Sequence, residues 1–133
     1  MTDYLTVSEV LVMHADLIDR YGGSHGIRDP GLLEAALFRP RTGYYADLIE
    51  EAAALWESMA QNHPFVDGNK RTAFAVTYTF LAINGIRLTA GAEETYKFVA
   101  RLHEKNQFQL DRLVPWLRNH IDRKRPPQNP KID

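Results

Sequence analysis

The feature that most constrains the fold is an uncharged, largely apolar segment, Thr72–Asn84 (TAFAVTYTFLAIN). Its apolar residues cover all faces of a helix, and such a helix belongs in the middle of a bundle rather than on its surface. Gly85 follows at the position where a glycine commonly ends a helix. The segment therefore predicts a buried central helix around which the rest of the chain must pack.

The remaining segments are predicted to form further helices around this one. Thr6 followed by Glu9 is a capping-box pattern that begins a first helix, which the glycines after Tyr21 end. Asp29 before Pro30 combines an N-cap with a favourable first helical residue. Three more helices are expected over about 47–62, 93–104 and 111–123. The expected fold class is all-α, a compact helical bundle.

The last helix and the C-terminal residues define the expected domain. Pro115 is expected in the first turn of the last helix, where a missing N–H costs least. The residues after Arg125 include three prolines and are expected to fray. The expected organisation is a single domain over residues 1–125 and a proline-containing tail over 126–133.

Size, charge and cysteine content exclude several classes of protein. The chain has 133 residues, a formal net charge of −1 and no cysteine. A chain of this length can bury one core without disulfides or structural metal. The lack of cysteine excludes disulfides, thiolate zinc sites and a thiol nucleophile. Because there is no basic excess, direct nucleic-acid binding is not expected.

Membrane insertion and secretion are not expected either. No apolar run approaches the roughly 20 residues that span a bilayer, and no secretory signal is visible at the start of the sequence. We therefore expect a cytoplasmic protein.

The residues that could carry chemistry are concentrated in His63–Arg71 (HPFVDGNKR), directly before the central helix. Pro64 disfavours helical geometry at His63, so His63 is expected just beyond the end of the preceding helix. Asn69 is placed to cap the central helix. The segment is therefore predicted to be a polar loop that leads into a helix N-terminus.

These residues together predict an anion site with a base and a metal ligand. A helix N-terminus presents free N–H groups and the positive end of the helix dipole, and Gly68 lets the backbone approach a phosphate closely. Lys70 adds a point charge, and Arg71 can grip a phosphate with two parallel hydrogen bonds. Asp67 suits a magnesium ion shared with phosphates, and His63 can accept a proton from an attacking hydroxyl. Phosphoryl or nucleotidyl transfer requires this set of groups.

The segment from His63 to Thr72 resembles the signature motif of the Fic/Doc superfamily in its Doc version. A second stretch resembles the N-terminal region of death-on-curing toxins, and it comprises Arg20-Tyr21-Gly22-Gly23, Gly26, Asp29, Gly31 and Glu34-Ala35. The resemblance covers roughly residues 4 to 121. It implies a Fic-fold bundle in which the active-site loop precedes the buried central helix.

The resemblance also implies roles for individual residues. His63 would be the general base, Asp67 the magnesium ligand and Phe65 the anchor of the loop in the core. Phosphates would be bound by Gly68, Asn69, Lys70 and Arg71. A flap that docks the target protein would lie in the segment 39–45 and include Arg39, Arg41, Thr42 and Tyr44.

Two positions separate the Doc version from the AMP-transferring Fic version. Lys70 stands where those enzymes have glycine, and Phe74 stands where they carry a second arginine. The resemblance therefore implies a protein kinase that uses ATP and Mg²⁺ to phosphorylate a hydroxyl of elongation factor Tu, a toxin activity that arrests translation. Two alternatives stay open, which are nucleotidyl transfer to a protein hydroxyl and a catalytically idle module that binds a nucleotide or a partner.

An inhibitory partner is implied as well. Self-inhibited relatives carry a helix with the pattern Ser/Thr-x-x-x-Glu-Gly/Asn, and no glutamate of this chain is followed by glycine or asparagine. Inhibition by a separate antitoxin protein is therefore expected.

Overall fold

The computed structural model describes residues 1–123, which form a bundle of six α-helices with one short two-stranded sheet. The helices are α1 (Val7–Tyr21), α2 (Pro30–Phe38), α3 (Leu48–Gln61), α4 (Asn69–Ile83), α5 (Ala92–Glu104) and α6 (Leu110–Asn119). The strands are β1 (Ile86–Leu88) and β2 (Ile121–Arg123), and a 3-10 helix over Arg39–Thr42 follows α2. The predicted all-α class is confirmed, and the tail predicted to fray lies outside the described residues. Among the described helices, none has the length and apolar character needed to cross a membrane.

The first three helices begin at side-chain caps. Thr6 accepts a hydrogen bond from the N–H of Glu9 (3.2 Å), and the Glu9 carboxylate accepts one from the N–H of Thr6 (2.9 Å), so the predicted capping box is present. Asp29 caps α2 and Asp47 caps α3 by accepting a backbone N–H three residues later. Because each cap is worth about 1 kcal/mol, local sequence sets these helix starts.

The centre of the bundle is the pair α3 and α4, which pack against each other more extensively than any other two described elements. α3 buries most of its side chains, including the alanine run Ala52–Ala54, and small side chains let neighbouring helices approach closely. α4 buries the face that carries Val76 and Phe80, in agreement with the predicted central helix. Its other side exposes Tyr78 and Ile83, because α3, α1 and β1 cover only part of its circumference.

An aromatic cluster around Trp56 joins α3 to the helices that follow it. The Trp56 side chain is 1% exposed. Its ring centroid lies 5.6 Å from those of Phe74 and Phe108, 5.7 Å from that of Trp116 and 6.4 Å from that of Phe98. These separations lie in the range that aromatic pairs prefer. The cluster therefore ties α4, α5 and α6 to one core.

The last helix ends earlier than predicted. α6 stops at Asn119, and the residues from Ile121 to Arg123 form β2 instead of a last helical turn. β2 pairs antiparallel with β1, with Ile86 opposite Arg123 and Leu88 opposite Ile121. The predicted helix over 111–123 is wrong at this end, because a three-residue strand owes its stability to a partner distant in the sequence, and that pairing leaves no local periodic signal.

Pro115 is the sixth residue of α6, so its predicted place in the first turn is also wrong. A proline at this position cannot donate to the carbonyl of Asp111, four residues earlier. The helix continues through it because Leu113 and Leu117 are both fully buried and hold α6 against the core. Tertiary burial here outweighs a local helix-breaking preference.

The Asp47 carboxyl makes the stability of the bundle depend on pH in the acid range. Partial burial is the largest single influence on its carboxyl and raises the pKa. The hydrogen bonds from Arg118 (2.9 Å) and from the N–H of Glu50 (3.0 Å), together with the charge of Arg118 and the N–H of Ile49, outweigh it, so the pKa lies below its usual value. A carboxyl with a depressed pKa in the folded state contributes stability above its unfolded pKa. That contribution is lost as the pH falls through the folded pKa.

Asp47→Asn keeps an N-cap side chain and removes only the charge. We expect it to lower the unfolding temperature at neutral pH by a few degrees, and we expect the difference from wild type to narrow as the pH falls below about 4. Thermal unfolding followed by circular dichroism across this pH range measures the effect. In an Arg118→Ala background the effect of Asp47→Asn should shrink. A difference independent of pH would contradict the assignment.

Candidate active site

The motif segment lies between α3 and α4 and begins with a strained histidine. His63 has a positive φ of 48°, which is uncommon for a residue other than glycine. Arg28 holds this turn, because its Nε donates to the carbonyl of His63 and its Nη2 donates to the carbonyl of Asn62 (2.6 Å). The His63 side chain is exposed and has no hydrogen-bond partner within residues 1–123. The backbone of His63 is therefore fixed while its imidazole stays free.

The loop after α1 forms a backbone layer that supports the motif segment. The N–H groups of Arg28 and Asp29 both donate to the carbonyl of Pro64 (2.8 and 3.0 Å). The N–H of Val66 donates to the carbonyl of Gly26 (3.0 Å). The second stretch that carries the family resemblance thus lies directly against the first.

Phe65 and Asn69 close the loop on itself. The Phe65 ring is 1% exposed and packs in the core. The Asn69 side chain accepts from the N–H of Phe65 and donates to its carbonyl, both at 2.9 Å. The N-cap of α4 is Gly68, with no side-chain cap, so the prediction that Asn69 caps this helix is wrong. The Asn69 amide is used inside the loop, which leaves its backbone N–H as the group available to an anion.

The Asp67 carboxylate is oriented by two backbone N–H groups. Its Oδ1 accepts from Gly68 (2.8 Å) and its Oδ2 accepts from Ser24 (3.1 Å) in the loop after α1. Gly23 is required beside it, because a Cβ at that position would lie 2.7 Å from Asp67 Oδ2. The side chain nevertheless remains exposed to solvent.

Asp67 fits the magnesium ion that the resemblance implies. The described part of the chain contains no group of three or more His, Cys, Asp or Glu residues able to hold a metal by themselves. Magnesium does not require such a cluster, since it is commonly bound by one or two carboxylates together with phosphate oxygens and waters. A carboxylate oxygen that accepts one hydrogen bond keeps a lone pair for a cation. Asp67 could therefore contribute to a site completed by a phosphate ligand.

The N-terminus of α4 is uncapped and positively charged. Its first intrahelical bond runs from the N–H of Thr72 to the carbonyl of Gly68 (3.0 Å), so the N–H groups of residues 69–71 have no partner in the described chain. Lys70 and Arg71 are exposed, and within residues 1–123 neither pairs with a carboxylate. The Arg71 guanidinium lies over the ring of Tyr21, 4.7 Å from its centroid. Cations at a helix N-terminus are unfavourable unless an anion joins them, so this arrangement favours anion binding.

Two further histidines, His14 and His103, were not predicted as candidate site residues from the sequence. His14 is buried in α1, stacks on Phe65 and places Nε2 2.8 Å from the Asp67 carbonyl oxygen. Burial lowers the pKa of His103, and electrostatic interactions with Lys70 and His63 lower it further. The signal for His14 was its helical spacing from Val10 and Ile18 on the apolar face of α1.

The segment predicted to be a target-docking flap divides into an internal part and an exposed part. Arg39 is turned inward, where it pairs with Glu57 (2.7 Å) and donates to the hydroxyls of Tyr45 and Ser58. Thr42 donates to the carbonyl of Arg39. Arg41 and Tyr44 lie at the surface of this segment. The Arg41 guanidinium lies over the Tyr4 and Phe38 rings, and Tyr44 is 84% exposed.

Gly68→Ala is expected to destabilise the protein more than Gly43→Ala. Both glycines have left-handed φ values, 76° and 81°, which cost a residue with a Cβ on the order of 1 kcal/mol. A Cβ at position 68 would also lie 3.0 Å from Ile18 Cδ1, whereas one at position 43 would meet nothing within 4 Å. Urea unfolding of both variants isolates the cost of this contact. Equal losses would mean that Ile18 moves aside freely and would contradict the expectation.

Comparisons with known proteins show the family to which this chain is related. A model of the Fic/DOC family matches residues 4–81, which span α1, the supporting loop, the motif segment and most of α4. Over 95 residues the chain is 46% identical to "Toxin Doc" of Mycolicibacterium smegmatis, covering 68% of this chain and 71% of that protein. Over 89 residues it is 37% identical to "Protein kinase doc" of Escherichia phage P1, covering 64% of this chain and 71% of that protein. The chain therefore belongs to the Fic/Doc family.

Proposed function

We propose that this protein is the toxin of a toxin–antitoxin pair and a protein kinase of the Doc type, which transfers the γ-phosphate of ATP to a hydroxyl of a target protein. The observation that carries the proposal is the uncapped N-terminus of α4, directly after the loop that contains His63 and Asp67. Within residues 1–123 its first N–H groups have no partner, and Lys70 and Arg71 pair with no carboxylate. The names of the two relatives, a toxin and a protein kinase, support the same activity.

Each group has a defined task in this reaction. The N–H groups of residues 69–71, with Lys70 and Arg71, would hold the phosphate oxygens and stabilise the charge that develops on transfer. Asp67 would hold Mg²⁺, which supplies charge neutralisation when it is bound. His63 would accept the proton of the target hydroxyl as its oxygen bonds to the γ-phosphorus and the bond to ADP breaks. The His63 imidazole suits this role, because it has no hydrogen bond to any residue of the described part of the chain that must break first.

The motif favours phosphate over AMP as the transferred group. Lys70 adds bulk and charge where AMP-transferring relatives have glycine. Phe74 occupies the position of their second arginine and packs at 5.6 Å from Trp56 and 6.2 Å from Tyr78. The Phe74 side chain carries no charge and packs in this aromatic cluster, so it does not replace the missing cation beside a nucleotide. Nucleotidyl transfer and an idle binding module are the alternatives that the experiments below separate.

The target and the inhibitor are further parts of the proposal. We propose elongation factor Tu as the phosphorylated protein, so that the activity would arrest translation in the cytoplasm. We also propose that a cognate antitoxin blocks the site in trans, since this chain lacks the inhibitory glutamate pattern. The exposed residues Arg41 and Tyr44 are the candidates for contact with the target, whereas Arg39 supports the segment from within.

Incubation of the protein with elongation factor Tu, ATP and magnesium is expected to add one phosphate to the target. The intact mass should rise by about 80 Da, and His63→Ala should abolish the gain because it removes the base. A gain of about 329 Da would establish AMP transfer instead. An unchanged mass would contradict this target. Toxicity that persists in both His63→Ala and Lys70→Ala would favour the idle binding module.

Gly23→Ala is expected to impair catalysis far more than Gly22→Ala. Both glycines have positive φ values, 116° and 89°, so both substitutions strain the backbone. Only the Cβ at position 23 collides with the Asp67 carboxylate, since a Cβ at position 22 would meet nothing within 4 Å. We expect a loss of about tenfold or more in kcat/KM, which corresponds to about 1.4 kcal/mol of transition-state stabilisation. Steady-state kinetics over a magnesium titration would measure it. Equal activity of the two variants would show that the orientation of Asp67 is unimportant.

A further inference from the structure

A buried histidine of α1, His14, contacts the motif segment. His14 is 4% exposed and lies between Val10 and Ile18 on the buried face of the helix. Its ring stacks on that of Phe65, with the centroids 3.7 Å apart and 5° between the planes. Its Nε2 lies 2.8 Å from the carbonyl oxygen of Asp67. A polar side chain in the apolar stripe of α1 therefore has one specific partner in the active-site loop.

The chemistry of this contact fixes which atom donates. A carbonyl oxygen only accepts, so the proton must be on Nε2 and His14 must be the donor. The parallel stack on Phe65 holds the plane of the imidazole and keeps its N–H directed at Asp67. Because the side chain is buried, water cannot readily replace a lost hydrogen bond.

The loop that follows α1 also holds the side-chain carboxylate of Asp67. The carboxylate Oδ2 accepts from the N–H of Ser24, and Oδ1 accepts from the N–H of Gly68. The backbone carbonyl and both carboxylate oxygens of Asp67 are thus each bonded. Two of these three bonds come from α1 or its following loop. Asp67 is therefore held at its backbone carbonyl and at its carboxylate, and the remaining carboxylate lone pairs keep a constant direction.

We propose that His14 is a positioning residue for the active site, which fixes the Asp67 backbone through its Nε2–H and so sets how the carboxylate faces a magnesium-bound nucleotide. The nature of the ligand rests on the proposed function, whereas the positioning rests on the loop geometry alone. Mutation of a group that orients a metal ligand without touching the metal typically lowers metal affinity or activity about 10- to 100-fold.

Three substitutions separate the donor from the stack. His14→Gln places an amide nitrogen the same number of bonds from Cα as Nε2, so it can still donate to the Asp67 carbonyl. His14→Asn carries the same amide one carbon shorter and cannot reach. His14→Phe keeps an aromatic ring against Phe65 but has no donor. The glutamine and asparagine variants differ only in reach, so they form the matched pair if His14→Phe fails to fold.

The first readout is the amide NMR spectrum of the ligand-free protein. If His14 positions Asp67, the Ser24 and Gly68 amide signals will shift in His14→Asn and His14→Phe, because their acceptor is the Asp67 carboxylate. In His14→Gln these signals will stay near their wild-type positions. Unmoved Ser24 and Gly68 signals in His14→Asn, or equal shifts in the glutamine and asparagine variants, would overturn the proposal.

The second readout is the affinity for magnesium and a non-hydrolysable ATP analogue, measured by calorimetry. We expect His14→Asn to weaken binding by about tenfold or more and His14→Gln to restore most of it. Wild-type binding that is retained in His14→Asn would overturn the proposal. If the wild-type protein binds no nucleotide, the proposed function fails, and the amide spectra still decide the role of His14.

Discussion

The burial of Phe65 is the contact on which the loop of the candidate active site depends. Its ring is the part of the loop that enters the hydrophobic core, and both of its backbone polar groups are paired with the Asn69 side chain. These contacts close the loop into a fixed turn directly before α4. With Phe65 held at one end and α4 at the other, Asp67 and Gly68 have little freedom. A loop without this anchor would have to order itself around the ligand at a cost in conformational entropy.

The polar residues of the site differ from other polar residues of the chain in one physical respect. Arg28 and Arg39 have several internal acceptors each, and their charges stabilise the fold. Lys70 and Arg71 have no carboxylate partner within the described chain, although they stand at the positive end of a helix dipole. An arrangement that disfavours the empty state is expected where a ligand supplies the missing charge. Such local costs are typical of functional sites, and the rest of the structure must offset them.

Much of this site was predictable from the sequence, because its main signals are local. The motif lies within nine consecutive residues, and the turn and the helix start that position it are encoded nearby. The prediction that Asn69 caps α4 failed because it relied on local propensity alone. Local propensity favours asparagine as a cap, but the tertiary position of Phe65 made a different pairing available. Arg28 and His14 contact the loop from more than 30 residues away in the chain, and no single-sequence pattern records such contacts.

The fold shows the same division between local and distant determinants. Capping residues fixed the starts of α1 and α2, and Gly85 ended α4 with the expected left-handed backbone. The predictions were wrong where contacts between residues distant in the sequence determine the structure. β2 forms because β1 offers it an edge, and α6 continues through Pro115 because Leu113 and Leu117 are buried. Local sequence therefore predicted the turn that carries the candidate site. The orientation of each group within that turn depends on α1 and its following loop, which reach it only after the chain has folded.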